Sequence, residues 1–366
     1  MKICILTLPV ESNYGGILQA YAMQTILERM GHSVKIIGVN SIKKLPPKYI
    51  YLLRIWEKKI LHKPVHIFFE RDYNKYIKHS NQLIKQFIQD KLNMKYINSF
   101  SDIKQSEFDC FVVGSDQVWR RPFFVNDYNS EIENAFLRFA SEWNVKRIAY
   151  AASFGVDFWE YSSKETNSCA ELLSKFDAVS VRELSGVGLC NKYFRRKATH
   201  VLDPTMLLNT IDYINLFQNK DTPKSKGDLL TYILDETPAK KEYITRIVSE
   251  KSYTPFSVIS HGSNEVKPPI ETWLRGFYDA KLIVTDSFHA CAFSIIFNKP
   301  FSVIANPQRG IARIKSLLNY FGIDDKSNII MDSSISPIKI IEPPYTKWDE
   351  LKIKSLQFLK DELNNI

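Results

Sequence analysis

The segment Lys281–Phe293 reads KLIVTDSFHACAF and joins two elements of different periodicity. The apolar run Leu282–Val284 predicts a short buried strand, and apolar residues at helical spacing from Phe288 onward predict a helix. The Thr-Asp-Ser between them supplies residue types that begin helices. A strand that leads directly into a helix brings unpaired backbone N–H groups to the carboxyl edge of a sheet, where anions bind. His289 would face such an anion from the first turn, although a capped connection with a partly buried histidine explains the pattern equally well.

The composition is that of a globular protein of more than one domain. The chain has 366 residues, of which 45% are hydrophobic and 24% charged, and this length favours two domains. No apolar run reaches the roughly 18 residues of a membrane span, and the apolar run after Met1 is too short for a signal peptide. The five cysteines form no C-x-x-C pair, which favours core thiols in a reducing compartment. We therefore expect a cytoplasmic enzyme.

The net charge of +9 is concentrated in one part of the chain, residues 41–96, which we call the basic segment. It contains thirteen Lys and Arg residues against four Asp and Glu, so the rest of the chain is neutral. The segment is also rich in aromatic residues. Such a composition suits an anionic membrane surface or a phosphate-bearing substrate, and a solvated helical insertion with a lysine-rich face is the blander alternative. No nucleic-acid recognition motif accompanies the charge, so we expect no nucleic-acid partner.

Strand-like and helix-like patterns alternate along the rest of the chain. The first strand leads into the glycine-rich turn Asn13–Gly16 and a helix, which is a βαβ opening without the G-x-G-x-x-G fingerprint. We predict two Rossmann-like parallel-sheet domains that face each other across a cleft. The N-terminal domain covers residues 1–218 with a helical insertion at about 41–96, a polar linker follows at 219–227, the C-terminal domain covers 228–345, and a helix over 346–366 closes the chain.

Several predicted strands end in polar or small residues, and ligands of open α/β sheets bind at such ends. Asp116 could be a general base or a helix cap. Arg182 could bind a phosphate or carboxylate, or pair with an acid such as Glu183. His261 could contact substrate or only end its strand. The sequence contains no metal-ligand spacing and no P-loop, so we expect no metal.

Taken in order, these strand ends resemble the polysaccharide pyruvyl transferase family. The motifs that carry the resemblance lie at residues 13–21 (NYGGILQAY), 113–119 (VGSDQVW), 151–155 (AASFG), 181–186 (VRELSG), 202–205 (LDPT) and 285–290 (TDSFHA). The resemblance spans roughly residues 2 to 305. It implies a two-domain fold similar to that of glycosyltransferase-B enzymes. It also implies transfer of pyruvate from phosphoenolpyruvate to two hydroxyls of a sugar, as a ketal with release of phosphate and with no cofactor besides that donor.

The resemblance also implies roles for individual residues. Arg182 corresponds to the arginine that binds the anionic groups of the donor, His289 to the histidine of an Arg-x-His donor site, and Asp116 to an acid near the acceptor. We assign these three as catalytic. The donor-binding set is Arg182, Ser287, His289, Asp286 and Ser153; the acceptor-binding set is Asn13, Gly15, Gly16, Ser115, Asp116 and His261.

One position departs from the family pattern. Relatives have arginine two residues before the histidine, whereas this chain has Ser287. Backbone N–H groups at the helix start could replace part of that charge, and a cation from elsewhere could replace the rest. The sequence leaves Arg275, Lys281 and Arg309 as equal candidates.

Two other functions compete with pyruvyl transfer. The first is a glycosyltransferase of the same architecture with a nucleotide-sugar donor, and the second is a non-catalytic carbohydrate- or membrane-binding scaffold. If the acceptor saccharide is carried on a lipid, the basic segment could hold the enzyme at the anionic inner leaflet.

Overall fold

The structure of the chain is a computed structural model, and it describes residues 1–39, 43–62, 64–259, 265–306, 309–331 and 337–364. Within these ranges, one parallel β-sheet of seven strands and another of five form the centre of the molecule. The prediction of an α/β fold with two parallel sheets is therefore confirmed. Helices separate most successive strands along the chain, and strands that pair in parallel are joined by such crossovers.

The first sheet is built by residues up to His200. Its strands are Lys2–Leu6 (β1), Ser33–Val39 (β2), Met94–Ile97 (β3), Cys110–Val113 (β4), Lys146–Ala152 (β5), Ala178–Val181 (β6) and Thr199–His200 (β7). The spatial order is β3-β2-β1-β4-β5-β6-β7, and every pair is parallel. In the register, Ile3 lies between Val34 and Cys110. The order reverses direction between β1 and β4, so a ligand crevice is expected beyond their carboxyl ends.

The helices of this first half largely follow the predicted alternation. They are Tyr14–Arg29 (α1), Lys48–Ile60 (α2), Phe69–Ser80 (α3), Gln82–Lys91 (α4), Arg121–Tyr128 (α5), Ser163–Ser174 (α6), Leu184–Phe194 (α7) and Thr210–Gln218 (α8). The described part of the basic segment contains α2, α3 and α4. Its last residues, 94–96, differ from the helical prediction because they start β3, which pairs with β2 at the edge of the sheet.

The second sheet is smaller and also parallel. Its strands are Leu229–Tyr232 (β8), Pro255–Phe256 (β9), Leu282–Thr285 (β10), Phe301–Ile304 (β11) and Ile329–Ile330 (β12), in the order β12-β11-β10-β8-β9. The helices of this half are Pro238–Lys251 (α9), Ile270–Asp279 (α10), Phe288–Ile296 (α11), Ile311–Tyr320 (α12), Asp325–Asn328 (α13) and Tyr345–Asn364 (α14). Here the order reverses between β8 and β10, which creates a second crevice.

The strand–helix junction predicted at 282–296 is confirmed. All four residues of β10 and all nine of α11 are buried, because the strand has a neighbour on each side and the helix is covered by β10, β11, α12 and α14. α11 is apolar on every face except for a few small or polar residues, as expected of a helix enclosed by protein. This burial fixes the start of α11, and with it His289.

Contacts between the two halves hold their carboxyl edges together. The ring of Tyr14 at the start of α1 stacks on Trp273 of α10, with 5.7 Å between centroids, and its hydroxyl donates to the carbonyl of Pro268 at 2.7 Å. α14 returns to the first half, where Trp348 Nε1 donates to the carbonyl of Met206 at 2.8 Å. No helix in the described ranges combines the length and hydrophobicity of a membrane span.

Candidate active site

A cavity of about 350 Å³ lies where the reversal points of the two sheets meet. Among the described helices, α1, α11 and α12 begin at residues that line it, namely Asn13, Ser287 and Gly310. The first N–H groups of a helix have no intrahelical partner, and the helix dipole adds positive potential at the same end. The convergence of three such ends makes this cavity suited to an anion.

His289 is the second residue of α11 and lies against the first half of the molecule. Its ring contacts Gly15 so closely that a Cβ there would stand 2.1 Å from Nδ1. Its Nε2 is 3.9 Å from Asp203 Oδ2, and this nitrogen has no hydrogen-bond partner among the described residues. Burial lowers the pKa of His289 to about 4, against the opposing effect of Asp203 and Asp116. The imidazole is therefore neutral at pH 7.

Asp116 follows β4 and lines the cavity from the first half. Its backbone has the left-handed φ of +55°, which Asp tolerates better than most residues. Its Oδ1 accepts a hydrogen bond from Arg182 Nη2 at 3.2 Å. Burial alone would raise the pKa of Asp116, but the positive charges around it, with Arg182 foremost, leave that pKa below its usual value. The side chain is thus a carboxylate at neutral pH.

Arg182 lies behind the cavity wall, with 1% of its side chain exposed. Its Nη1 donates to Asp203 Oδ2 at 2.6 Å, and its Nη2 pairs with Asp116. Its Cζ is 4.4 Å from the centre of the Phe288 ring. Of the two alternatives for Arg182, anion binding or an ion pair with an acid, the structure shows the ion pair. Its partners are Asp116 and Asp203, and not Glu183.

Ser115 and Ser153 also lie beneath the cavity and are fully buried. Ser115 Oγ donates to Asp203 Oδ2 at 3.0 Å, and its N–H donates to Gln19 Oε1 at 3.1 Å. Ser153 Oγ donates to Glu183 Oε1 at 3.0 Å. These hydroxyls fix the loops that follow β4 and β5, and Gly16 likewise stands behind the Asn13 and Gly15 that line the cavity.

On the side of the second sheet, Ser287 and Asp286 both line the cavity but differ in their contacts. Ser287 precedes α11, and its own N–H donates to Thr285 Oγ1 at 3.0 Å. The carboxylate of Asp286 accepts from the N–H of Leu234 at 2.8 Å and from Lys240 Nζ at 2.7 Å. Asp286 therefore ties the ends of β8 and β10 together.

The candidates to replace the arginine expected at position 287 separate clearly in space. Arg275 pairs with Asp279 at 2.9 Å, and Lys281 pairs with Asp228 at 2.9 Å, both away from the cavity. Arg309 lines the cavity, where it forms a two-pronged pair with Asp235 at 2.6 and 2.9 Å. His261 lies outside the described residues.

Sequence reasoning missed two cations that line the cavity, Arg313 and Lys267. Arg313 belongs to α12, a helix that could have been predicted from the apolar residues 311, 314, 317 and 318 that follow Gly310. Lys267 lies in an irregular segment before α10, and burial lowers its pKa. No local pattern marks Lys267, because only the approach of the two halves brings it to the cavity.

Comparisons with known proteins agree with the motif resemblance. The family model described as polysaccharide pyruvyl transferase matches residues 13–308. No curated protein matches the sequence at a significant level.

Solved structures similar to this chain include the UDP-GlcNAc 2-epimerase of Methanocaldococcus jannaschii in complex with UDP-GlcNAc and UDP, at 12% identity and a TM-score of 0.45, covering 97% of this chain and 99% of that one. Arabidopsis thaliana UGT89C1 in complex with UDP-L-rhamnose is similar at 10% identity and a TM-score of 0.46, covering 98% and 95%. S. aureus MnaA with UDP is similar at 11% identity and a TM-score of 0.49, covering 100% and 88%.

Proposed function

The chain belongs to the polysaccharide pyruvyl transferase family, and from that premise we propose that it transfers pyruvate from phosphoenolpyruvate to two hydroxyls of one sugar. The observation that carries this proposal is the cavity itself. Three helix N-termini, Lys267, Arg309 and Arg313 line it with the neutral His289. The carboxylates that also line it are paired, Asp116 with Arg182 and Asp286 with Lys240, and Arg309 pairs with Asp235 at its rim. A small donor that carries both a carboxylate and a phosphate matches such a concentration of positive potential.

The proposed reaction has three steps. A proton is added to the methylene carbon of phosphoenolpyruvate, which leaves a cationic centre at the carbon that carries the phosphate. A sugar hydroxyl attacks that carbon and loses its proton to a base. A second hydroxyl of the same sugar then displaces phosphate and gives up its proton to the departing phosphate, so that the products are a cyclic pyruvate ketal and inorganic phosphate. The protein must therefore supply an acid, a base and fixed positive groups.

His289 is the proposed acid. It is neutral in the unliganded protein because burial keeps its pKa at about 4. A donor with several negative charges bound beside it would stabilise the imidazolium, so His289 would take up a proton as the donor binds. The protonated ring could then transfer that proton to the methylene carbon, and Asp203 at 3.9 Å from Nε2 would stabilise the charged form meanwhile.

Asp116 is the proposed base for the acceptor hydroxyl. It lines the same cavity, and its lowered pKa keeps it ionised over the whole neutral range. A carboxylate of this kind is a weak base toward a free hydroxyl, but it can take the proton as the hydroxyl attacks a cationic carbon. Asn13 and Gly15 line the same cavity and would contact the acceptor. Ser115 and Gly16 lie behind the cavity wall and would support these two residues.

Arg182 and Ser153 take supporting roles in this proposal. The guanidinium of Arg182 is bound by Asp116 and Asp203, so it would orient Asp116 and hold Asp203 ionised beside His289. Ser153 would stabilise the buried Glu183. Ser287 and the first N–H groups of α11 would contact the donor directly.

The acceptor class follows from the family, a sugar of a polysaccharide or its precursor, and we propose that this precursor is lipid-linked on the cytoplasmic side of a membrane. Unpaired, buried cysteines support a reducing compartment.

α2 supports the membrane contact, because five large apolar side chains recur at helical spacing and are 52–66% exposed. We call them the α2 face: Tyr49, Leu52, Leu53, Trp56 and Ile60. An exposed apolar face with Trp and Tyr on a strongly basic segment suits the surface of an anionic bilayer.

The activity is tested by incubating the protein with phosphoenolpyruvate and a lipid-linked or free oligosaccharide. Phosphate release should depend on both substrates. Mass spectrometry should find the acceptor heavier by one pyruvate less one water. His289→Gln and Asp116→Asn should lose about 10²–10⁴-fold in rate while circular dichroism remains unchanged. Thermal stabilisation by UDP or GDP, with none by phosphoenolpyruvate, would instead favour the nucleotide-sugar glycosyltransferase.

The membrane contact is tested by co-sedimentation with anionic and zwitterionic vesicles. The protein should bind the anionic vesicles, and Leu52→Ser with Trp56→Ser should abolish binding. A matched control is Ile353→Ser on α14, because Ile353 is 66% exposed outside the basic segment. If the double variant still binds anionic vesicles, the α2 face does not contact the bilayer. If the wild-type protein is a dimer and the double variant is a monomer, the face contacts a second copy of the chain and not a bilayer.

A further inference from the structure

Arg313 is the third residue of α12 and lies in the wall of the cavity, only 8% exposed. Its Nη2 donates to the carbonyl of Arg309 at 2.6 Å. Its Nη1 is 4.0 Å from Asp116 Oδ1, which is too long for a hydrogen bond, and its Nε has no partner among the described residues. A guanidinium has five N–H donors. Nε is sealed by protein and one N–H of Nη2 is bonded to Arg309, so Nη1 and the second N–H of Nη2 are the donors that remain for a ligand.

Arg182 provides an internal comparison, because the two guanidinium groups share one environment. Both pack on the ring of Phe288, with Cζ 4.4 Å from its centroid in Arg182 and 5.7 Å in Arg313. Both also approach Asp116 Oδ1, at 3.2 and 4.0 Å. Arg182 additionally has Asp203 at 2.6 Å and is sealed from the cavity. Two buried cations thus share Asp116, and Arg313 is the one left under-neutralised on the cavity side.

The position of Arg313 is fixed by contacts of α12 with the first half of the molecule. Ser316 Oγ accepts a hydrogen bond from the N–H of Leu184 at 2.7 Å. Gly310 has the left-handed φ of +80°, and a Cβ there would stand 2.0 Å from the carbonyl oxygen of Gly155. α12 is therefore held against the first half at Gly310 and at Ser316, and both Gly310 at its start and Arg313 line the cavity.

We propose that Arg313, together with the N-terminus of α12, is the main binding site for an anionic group of the donor and replaces the arginine expected at position 287. The proposal rests on the proposed function for the identity of the donor. Phe288 places the two positions side by side, because it directly follows Ser287 and carries the Arg313 guanidinium on its ring. Arg313 lies just beyond the family match, which ends at residue 308. The ligand group is a carboxylate or phosphate, which a guanidinium binds through two hydrogen bonds.

The test measures the affinity of phosphoenolpyruvate by titration calorimetry. Arg313→Gln should weaken binding about 10- to 100-fold, and Arg313→Lys should weaken it less, because lysine retains the charge but not the two-pronged geometry. The matched control is Lys281→Gln, which removes the same charge at a site whose side chain is 65% exposed and pairs with Asp228. The affinity of Lys281→Gln for phosphoenolpyruvate should stay within about twofold of wild type.

Rescue makes the test specific to the replacement. The double variant Ser287→Arg with Arg313→Gln should regain at least about tenfold of the lost affinity, since the new guanidinium reaches the same space. Wild-type affinity in Arg313→Gln would overturn the inference while leaving pyruvyl transfer intact. If wild type does not bind phosphoenolpyruvate at all, the proposed function fails. Inorganic phosphate then tests Arg313 separately, because Arg313→Gln should still bind it more weakly than Lys281→Gln does.

Discussion

Substitution of Gly15 by alanine should disable the site without unfolding the protein. The added Cβ would stand 2.1, 2.2 and 2.7 Å from Nδ1, Cγ and Cε1 of His289. Ordinary contacts begin near 3.4 Å, so the imidazole must withdraw by about 1.3 Å, a displacement of the size that costs roughly 100-fold in rate. Overpacking costs about 1–3 kcal/mol, whereas alanine in a helix gains up to about 1 kcal/mol over glycine. Net destabilisation should therefore lie between about 0 and 3 kcal/mol.

The adjacent glycine provides the control. A Cβ at Gly16 would meet its nearest neighbours, side-chain atoms of Asn13, at the ordinary distance of 3.5 Å. Gly16→Ala should therefore leave the imidazole in place, lose far less turnover than Gly15→Ala and gain slightly in stability.

The assay compares phosphate release and urea unfolding for both variants. It adds nuclear magnetic resonance of the seven histidines, in which the His289 signal should move only in Gly15→Ala. If Gly15→Ala is folded and retains half or more of wild-type turnover, the contact between Gly15 and His289 does not position the imidazole.

Other predictions follow from the buried charges. Arg182→Gln should lower the free energy of unfolding by about 3–5 kcal/mol in urea titrations, because two buried carboxylates lose their partner; a stable variant with only weaker donor binding would mean that Arg182 binds the donor directly. Ser153→Ala should cost about 1–1.5 kcal/mol of stability, since Glu183 Oε1 loses one of its donors, and donor affinity should not change. Donor binding should take up a proton, because the pKa of His289 is about 4 in the unliganded protein and the donor raises it. Affinity should then fall as pH rises from about 4 toward the higher pKa of the complex and be flat above it, and calorimetry in two buffers should find this uptake absent in His289→Gln.

Much of the architecture could be predicted from local sequence patterns. The strand Leu282–Thr285 and the helix after it follow from an apolar run, helix-starting residues and a change of periodicity, all within fifteen residues. The strand β3 was missed because four residues of mixed polarity, MKYI, form a strand only by pairing with β2 at the edge of the sheet. The helix α12 was missed although its apolar spacing was present in the sequence.

The residues that line the cavity were only partly predictable. His289, Asp116, Asn13, Gly15 and Ser287 were found because polar residues at strand ends collect at one edge of a sheet, and all of them line the cavity. Arg182 satisfied the same pattern, yet Asp203, 21 residues further along the chain, binds it beneath the surface. Arg313 does not follow the end of a strand, so this pattern could not mark it. It reaches the cavity because α12 is anchored to the N–H of Leu184.

Local sequence therefore specifies which residues begin helices and end strands, since hydrophobic periodicity and backbone capping act over a few residues. Whether a charged side chain at such an end binds a ligand or an internal partner depends on burial and on counter-charges supplied by distant segments. A buried charge is stable only when it is paired, and the packing of the two halves assigns the pairs. That packing left Arg182 with two carboxylates and Arg313 facing the cavity with one carboxylate at 4.0 Å.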